Sequence, residues 1–309
     1  MTELRIGFIG LGNMGGRMTK AITKTGRDVL GFDVVTDNIA ASDAKPAASV
    51  ADVTDGSDIV LLSLPESKIV EQVVLGDDGV LAHARDGQIV VDLSTASPES
   101  TRSIAAQLAT KGASYLDAGI SGGAAAADKA ALTLMVGGDE ATLERARPVL
   151  DFFSADIYYM GESGNGHVTK LLNNFLNATN LTTTAEVMVA GKKAGLDLAK
   201  LLEVINHSSG VNFASLNRFP KIVTGDYLEG GLTSDLMLKD VLLYTEYAAS
   251  LGVASLNSSA PIAAFGLAAR LGYAQQISNR VVDAIGDVSG GVRLHDPEAD
   301  PDNAKEQTK

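Results

Sequence analysis

The chain opens on a short apolar run, Leu4-Arg5-Ile6-Gly7-Phe8-Ile9-Gly10, that stops at a glycine. A run of this length without helical spacing predicts a strand buried on both faces. From Asn13 to Lys24 the apolar positions change to helical spacing through Met14, Met18, Ala21 and Ile22. A second strand is expected in Asp28-Val29-Leu30-Gly31-Phe32-Asp33, and others at 59–64, 89–93 and 114–118. Helical segments are expected at 67–75, 98–110 and 140–150, and apolar runs at 132–136 and 157–160 predict two more strands. Strands alternating with helices predict a parallel sheet covered on both faces, an α/β arrangement.

The pattern changes near Gly161. Beyond it the periods are helical, with one long helix expected over 168–194 and shorter ones over 198–206, 235–251, 261–271 and 277–285. This predicts residues 1–162 as one domain and 163–292 as an all-helical second domain entered through the long helix. Gly161-Glu162-Ser163-Gly164-Asn165-Gly166 reads as a flexible border between them. Residues 293–309, polar and with two prolines, read as a disordered tail.

Composition removes several function classes. With Lys+Arg 25 against Asp+Glu 38, the formal net charge is -13, which argues against nucleic acid and acidic membranes as partners. An anionic ligand must then be held by local donors. Cysteine is absent, so disulfides, thiolate metal sites and a cysteine nucleophile are impossible. This composition fits a cytoplasmic protein. The N-terminus lacks a signal-peptide pattern, and no apolar run is long enough for a membrane span. The 4 histidines show no metal-ligand spacing, and no metal is expected.

Gly10-Leu11-Gly12-Asn13-Met14-Gly15 matches G-x-G-x-x-G between the first strand and the first helix. In that context the glycines permit a tight turn, close approach of the backbone to a pyrophosphate, and close packing of helix on strand. The helix N-terminus offers N–H groups and a partial positive charge to the phosphates. This predicts a Rossmann-type doubly wound sheet that binds a dinucleotide. Asp33 ends the second strand, where a carboxylate accepts from ribose hydroxyls and repels a 2′-phosphate. Val34-Val35-Thr36 offers no arginine to hold such a phosphate, so NAD is expected over NADP. Leu64 and Pro65 close the third long strand and are candidates for the loop over the cofactor.

Three further segments bear on the reaction: Asp92-Leu93-Ser94-Thr95, Asp117-Ala118-Gly119-Ile120-Ser121-Gly122-Gly123, and Gly164-Asn165-Gly166-His167-Val168-Thr169-Lys170-Leu171-Leu172-Asn173-Asn174. Oxidation of an alcohol by hydride transfer requires removal of the hydroxyl proton. A lysine can remove it where burial and a neighbouring positive charge favour the neutral amine. Lys170 stands early in the long helix, and Asn174 follows one turn later on the same face.

Together with Gly7-Phe8-Ile9-Gly10-Leu11-Gly12-Asn13-Met14-Gly15, these segments closely resemble the 3-hydroxyisobutyrate dehydrogenase family of β-hydroxyacid dehydrogenases over about residues 4–290. The resemblance implies Lys170 as general acid/base and Asn174 as its substrate-orienting partner. It implies Ser121, Gly122 and Gly123 as the loop for the substrate carboxylate, and Thr95 beside nicotinamide and substrate. Lys239, in Leu236-Met237-Leu238-Lys239-Asp240, is implied near the cofactor. The implied substrate is a small 3-hydroxy acid or its semialdehyde, and the implied assembly a homodimer or homotetramer. Two alternatives remain at this level: an oxidative decarboxylase of the 6-phosphogluconate dehydrogenase type, and a non-catalytic NAD-binding protein.

The chain also departs from the family pattern. Gly119 and Ile120 replace a frequent Pro-Val pair, alanine stands at 126 and 130 where glycine is usual, and Arg17 occupies a position where proline is frequent. Arg17 lies in the first turn after the nucleotide loop, and the other changes lie in and beyond the implied carboxylate loop, where they bear on which acid is bound.

Overall fold

The computed structural model describes residues 3–295. By its internal contacts the chain divides into two units, meeting at Leu171 and Leu172. The first runs β1 (Ile6–Ile9), α1 (Asn13–Thr23), β2 (Val29–Phe32), α2 (Thr36–Ala41), β3 (Lys45–Pro46), α3 (Val50–Gly56), β4 (Ile59–Leu62), α4 (Ser67–Leu75), α5 (Val80–His83), β5 (Ile89–Asp92), α6 (Pro98–Ala109), β6 (Ser114–Ser121), α7 (Gly123–Asp128), β7 (Leu132–Gly137), α8 (Glu140–Leu150) and β8 (Ser154–Tyr159). The strands form one sheet of order β3-β2-β1-β4-β5-β6-β7-β8. Chain order reverses between β1 and β4, the kind of switch point outside which open α/β sheets bind ligands.

Period-two alternation explains why both faces are apolar. Phe8, Ile59, Leu61, Ile89 and Val91 belong to one buried cluster with Met18, Ile22, Leu116 and Phe153. Their neighbours Ile9, Val60, Leu62 and Val90 belong to another with Val70, Val74, Ile104 and Leu108. Successive residues of one strand therefore feed opposite faces, and helices cover both.

The sequence pattern predicts a parallel sheet, and the sheet departs from this at one pair. The pairs from β3 to β6 are parallel, but β7 pairs antiparallel with β6, in the register Asp117↔Gly137 to Ser121↔Thr133, and β8 is parallel to β7. The connection through the short α7 turns the chain back beside β6, and a return of that kind allows antiparallel pairing without a long crossover.

Helix α9 (Asn165–Lys193) begins in the first unit and continues into the second. The second unit then adds α10 (Leu198–Asn206), α11 (Phe213–Asn217), α12 (Phe219–Ile222), α13 (Ser234–Ser250), α14 (Ser259–Ala268), a π turn (Ala269–Tyr273), a 3₁₀ turn (Ser278–Arg280) and α15 (Val281–Val288). Its core gathers Ala178, Leu181, Ala185 and Met188 of α9, at helical spacing, with Phe219, Met237, Val241, Phe265 and Ile285. No helix of the described residues is long and apolar enough to cross a membrane.

Two local expectations need correction. The glycines of 161–166 are packing positions, not a flexible border. A Cβ on Gly166 would come within 2.4 Å of the Asp117 and Met135 carbonyl oxygens, and one on Gly164 within 3.0 Å of Arg102 Nε. The expected tail of 293–309 also starts too early. Leu294 and His295 are buried, with His295 edge-on to Tyr227 at 5.6 Å, while 296–309 lie outside the described residues.

Candidate active site

The candidate residues of the first unit follow the C-terminal ends of parallel strands: Gly10–Gly15 after β1, Asp33 after β2, Leu64 and Pro65 after β4, Thr95 after β5, and Ser121–Gly123 at the end of β6. They therefore share one edge of the sheet. Gly10 has φ +87°, and a Cβ there would lie 2.4 Å from the Ser63 carbonyl oxygen. A Cβ on Gly15 would lie 1.9 Å from the Gly10 carbonyl oxygen, so α1 packs directly on the turn. At Gly12, in contrast, a Cβ would meet nothing within 4 Å. Open space in front of a helix start that has no side-chain cap fits the approach of a pyrophosphate.

Asp33 binds backbone on both sides: Oδ2 accepts from Leu11 N at 2.6 Å and Oδ1 from Val35 N at 2.8 Å. The carboxylate thus fixes the glycine loop and its own turn, and each oxygen keeps a further lone pair. Leu64 N donates to Ser94 Oγ at 2.9 Å, which ties the loop after β4 to the loop that carries Thr95. Pro65 is exposed and Thr95 half-buried.

Strand β6 carries the Ser121–Gly123 turn at its end and meets Lys170 at Gly119. Gly122 has φ +118° and Gly123 φ +65°, so the chain turns from the end of the strand into α7 through two positions that favour glycine. Lys170 is half-buried, and its stem rises from α9 against Gly119: a Cβ on Gly119 would meet Lys170 Cβ at 2.5 Å and Cγ at 3.1 Å. Gly119 lies in the same strand as Ser121, with both side-chain positions on one face.

Asp117 holds the start of α9 in place. Its fully buried carboxylate accepts from Gly164 N at 2.7 Å and from His167 N at 2.9 Å. An acid on a strand thus caps a helix that starts far along the chain, where first-turn N–H groups otherwise lack partners. A second buried set supports the loop of Thr95. Asp92 accepts from Ser94 N at 3.0 Å and from the Tyr115 hydroxyl at 2.8 Å. Burial, and then the Asp92 charge, push the Tyr115 hydroxyl well above its usual 10. His167 is fully buried, with Nδ1 2.7 Å from Thr101 Oγ1 and Nε2 3.3 Å from the Asp92 carbonyl oxygen. That carbonyl can only accept, so Nε2 carries the hydrogen. The ring is engaged in the interior of the unit.

In the second unit Asn174 and Lys239 meet at Asp240. Asn174 Nδ2 donates to Asp240 Oδ2 at 2.5 Å, and Lys239 Nζ lies 3.1 Å from Asp240 Oδ1. Asn174 and Asp240 are both buried. This bond fixes the amide flip, and the Asn174 oxygen accepts a long bond from Asn173 Nδ2 at 3.5 Å, which leaves it one further lone pair. Asp92, Asp117 and Asp240 were not singled out by sequence reasoning. A usable signal was present for the first two: acids at or within buried apolar strands must find partners.

Two family models match the chain. The NAD binding domain of 6-phosphogluconate dehydrogenase covers residues 5–161, and the NAD-binding region of NADP-dependent 3-hydroxyisobutyrate dehydrogenase covers residues 164–284. The NAD-dependent L-serine dehydrogenase of Pseudomonas aeruginosa is 38% identical over 282 residues, 88% of this chain and 94% of that protein. The 2-(hydroxymethyl)glutarate dehydrogenase of Eubacterium barkeri is 40% identical over 247 residues, 79% of this chain and 82% of that protein. The chain belongs to the 3-hydroxyisobutyrate dehydrogenase family. The solved structure of the Mycobacterium tuberculosis 3-hydroxyisobutyrate dehydrogenase with L-serine agrees: TM-score 0.83 at 29% identity, over 92% of this chain and 99% of that one.

As a member of this family the protein is an oxidoreductase with an NAD(P)-binding domain, and its departures from the family pattern now have structural content. Ala130 sits at φ +51°, in the left-handed region that glycine enters freely. Arg17 of α1 forms an ion pair with Asp128 of α7 and donates from Nε to Asn13 Oδ1 at 3.2 Å. The helix after the glycine-rich loop is thereby tied to the helix after Ser121–Gly123.

Proposed function

We propose that this enzyme interconverts a small 3-hydroxy acid and its semialdehyde with NAD, using Lys170 as general acid/base. The observation that carries the reading is the placement of the Lys170 stem on Gly119, in the strand that ends at Ser121. The relatives' named substrates point to the class: 2-(hydroxymethyl)glutarate, L-serine and 3-hydroxyisobutyrate all carry a CH₂OH group on the carbon next to a carboxylate. In this reading the Ser121 hydroxyl and the N–H groups of Gly122 and Gly123 take the carboxylate. The Asn174 amide, oriented by Asp240, holds the hydroxyl. Lys170 accepts the hydroxyl proton as the carbinol C–H bond breaks, and returns it when the aldehyde is reduced. When bound, the dinucleotide would supply the hydride acceptor, and Gly10–Gly15, Asp33, Leu64, Pro65, Thr95 and Lys239 are the residues that would hold it.

NAD is preferred because Asp33 keeps a carboxylate at the end of β2, while the following Val34-Val35-Thr36 supplies no cation for a 2′-phosphate. A chain without cysteine fits a cytoplasmic setting. The exposed apolar side chains of Leu176 and Val187 on α9 support self-association. The test is a turnover screen of 2-substituted 3-hydroxypropanoates and their semialdehydes with both dinucleotides. Turnover with kcat/KM at least about tenfold higher for NAD is expected. Binding of NAD without turnover of any member would refute the reaction, and a kcat/KM favouring NADP would refute the cofactor preference.

A further inference from the structure

The second unit holds a cation that the mechanism above does not use. Arg218 follows α11, and its guanidinium is bracketed by two neutral amides: Nη1 donates to Asn279 Oδ1 at 2.9 Å and Nη2 to Asn177 Oδ1 at 2.9 Å. Among the described residues no carboxylate pairs with it. Burial alone pulls this guanidinium down to about 10. A buried cation ordinarily finds a counter-ion, because desolvating it without one is costly. Five donors in a planar fork, only two of them engaged here by side chains, leave room for an incoming carboxylate.

The surroundings are built rigidly. Asn212 caps α11, its Oδ1 accepting from Ala214 N at 2.9 Å and Ser215 N at 3.1 Å, while its Nδ2 donates to Thr184 Oγ1 at 3.1 Å. Asn279 is buried and donates to the Tyr227 carbonyl oxygen at 2.8 Å. Phe213, the first residue of α11, remains 58% exposed, with its ring centroid 5.7 Å from Arg218 Cζ. An exposed aromatic ring beside a guanidinium offers an apolar wall next to a charge. Asn174, Asn177 and Thr184 recur at helical spacing on one stripe of α9. Asn177, which holds Arg218, thus follows Asn174 by about one turn of α9, a rise of about 5 Å along the helix axis.

We propose that Arg218 is an anion receptor that selects 3-hydroxy acids whose 2-substituent ends in a second carboxylate, the methylenes of that arm lying against Phe213. The proposal rests on the reading that Asn174 holds the substrate hydroxyl. A purely structural bracket between Asn177 and Asn279 would be indifferent to ligand charge, and this supplies the test. Steady-state kinetics with NAD are measured for 3-hydroxypropanoate and for its 2-carboxyethyl and 2-carbamoylethyl derivatives, the last two matched in size and differing in charge. The intact wild-type protein should show a kcat/KM at least about tenfold higher for the carboxyethyl acid than for its amide. In Arg218→Gln the ratio should fall to near one, and Arg218→Lys should keep part of it. A wild-type ratio near one, or an unchanged ratio in Arg218→Gln, overturns the proposal while leaving the reaction standing. Absence of turnover with all the 3-hydroxy acids overturns the reaction itself, and the proposal with it. The wild-type ratio decides the matter even where a variant does not fold.

Discussion

Lys170 occupies the space that a side chain on Gly119 would need. A Cβ at position 119 would lie 2.5 Å from Lys170 Cβ and 3.2 Å from the Gly166 carbonyl oxygen. A Cβ on Gly137 of β7 would likewise lie 2.8 Å from Gly166 N. The first turn of α9 thus rests almost backbone to backbone on β6 and β7, and the lysine's depth is set by the absence of side chains beneath it. Gly119→Ala should cost about 1–3 kcal/mol, the usual range for overpacking. It should also lower kcat at least about tenfold and displace the pH profile of kcat/KM, with dinucleotide affinity retained. Urea unfolding, calorimetric binding and pH-dependent kinetics on one preparation check this. Wild-type kinetics in the variant would show that the lysine tolerates displacement.

Asp117 should matter through the helix it holds. Asp117→Ala leaves the buried N–H groups of Gly164 and His167 without their carboxylate, a loss of about 3 kcal/mol. Asp117→Asn keeps one acceptor and should lose less. Urea unfolding of both variants gives the order, and a cost below about 0.5 kcal/mol for the alanine variant would show that the cap is redundant.

The contrast between Gly12 and Asp117 shows what was legible in the sequence. The nucleotide loop could be read because its partners are local: a strand, three glycines and a helix in one continuous segment. Strands β1, β4 and β5 could be read because burial on both faces leaves an apolar run. The supporting groups could not, because their meaning lies in partners far along the chain: Asp117 with His167, Tyr115 with Asp92, Asn174 with Asp240. Short elements were also missed. Helix α3 carries a readable start, Ser49 accepting from Asp52 N at 3.0 Å, but α7 has no side-chain cap to announce it. Strand β3, Lys45–Pro46, is too short to show a period.

Ala130 tests the departure from the family's glycine pattern. With φ at +51°, its side chain is held in a conformation that costs a non-glycine residue about 1 kcal/mol or more. Ala130→Gly should therefore stabilise the protein by about 1 kcal/mol. Paired thermal and urea unfolding curves measure it, and destabilisation would show that the methyl group's contacts outweigh the strain.

Asp58 gives a stability dependence on pH with a defined sign. Hydrogen bonding from Arg5 first, with Arg85 adding to it and burial opposing it, holds its carboxyl well below the usual carboxylate range. The contacts are Arg5 Nη2 and Arg85 Nη2 to Oδ1, each at 2.8 Å, and Arg5 Nε to Oδ2 at 3.1 Å. A depressed folded value means that the stabilisation is complete above the unfolded value of about 4 and is lost as pH falls through the folded value. The stability gap between wild type and Asp58→Asn should stay constant from pH 7 to about 5 and narrow steadily below about 4. Urea midpoints across that range decide it, and a gap that widens in acid would reverse the assignment.

The most direct measurement concerns the amine itself. In Lys170→Ala, kcat for a 3-hydroxy acid with NAD should fall by about two to four orders of magnitude, while the dissociation constant for NAD, read by calorimetry, stays within about threefold of wild type. Turnover near the wild-type rate in that variant would contradict the assignment of Lys170 as the group that takes the proton.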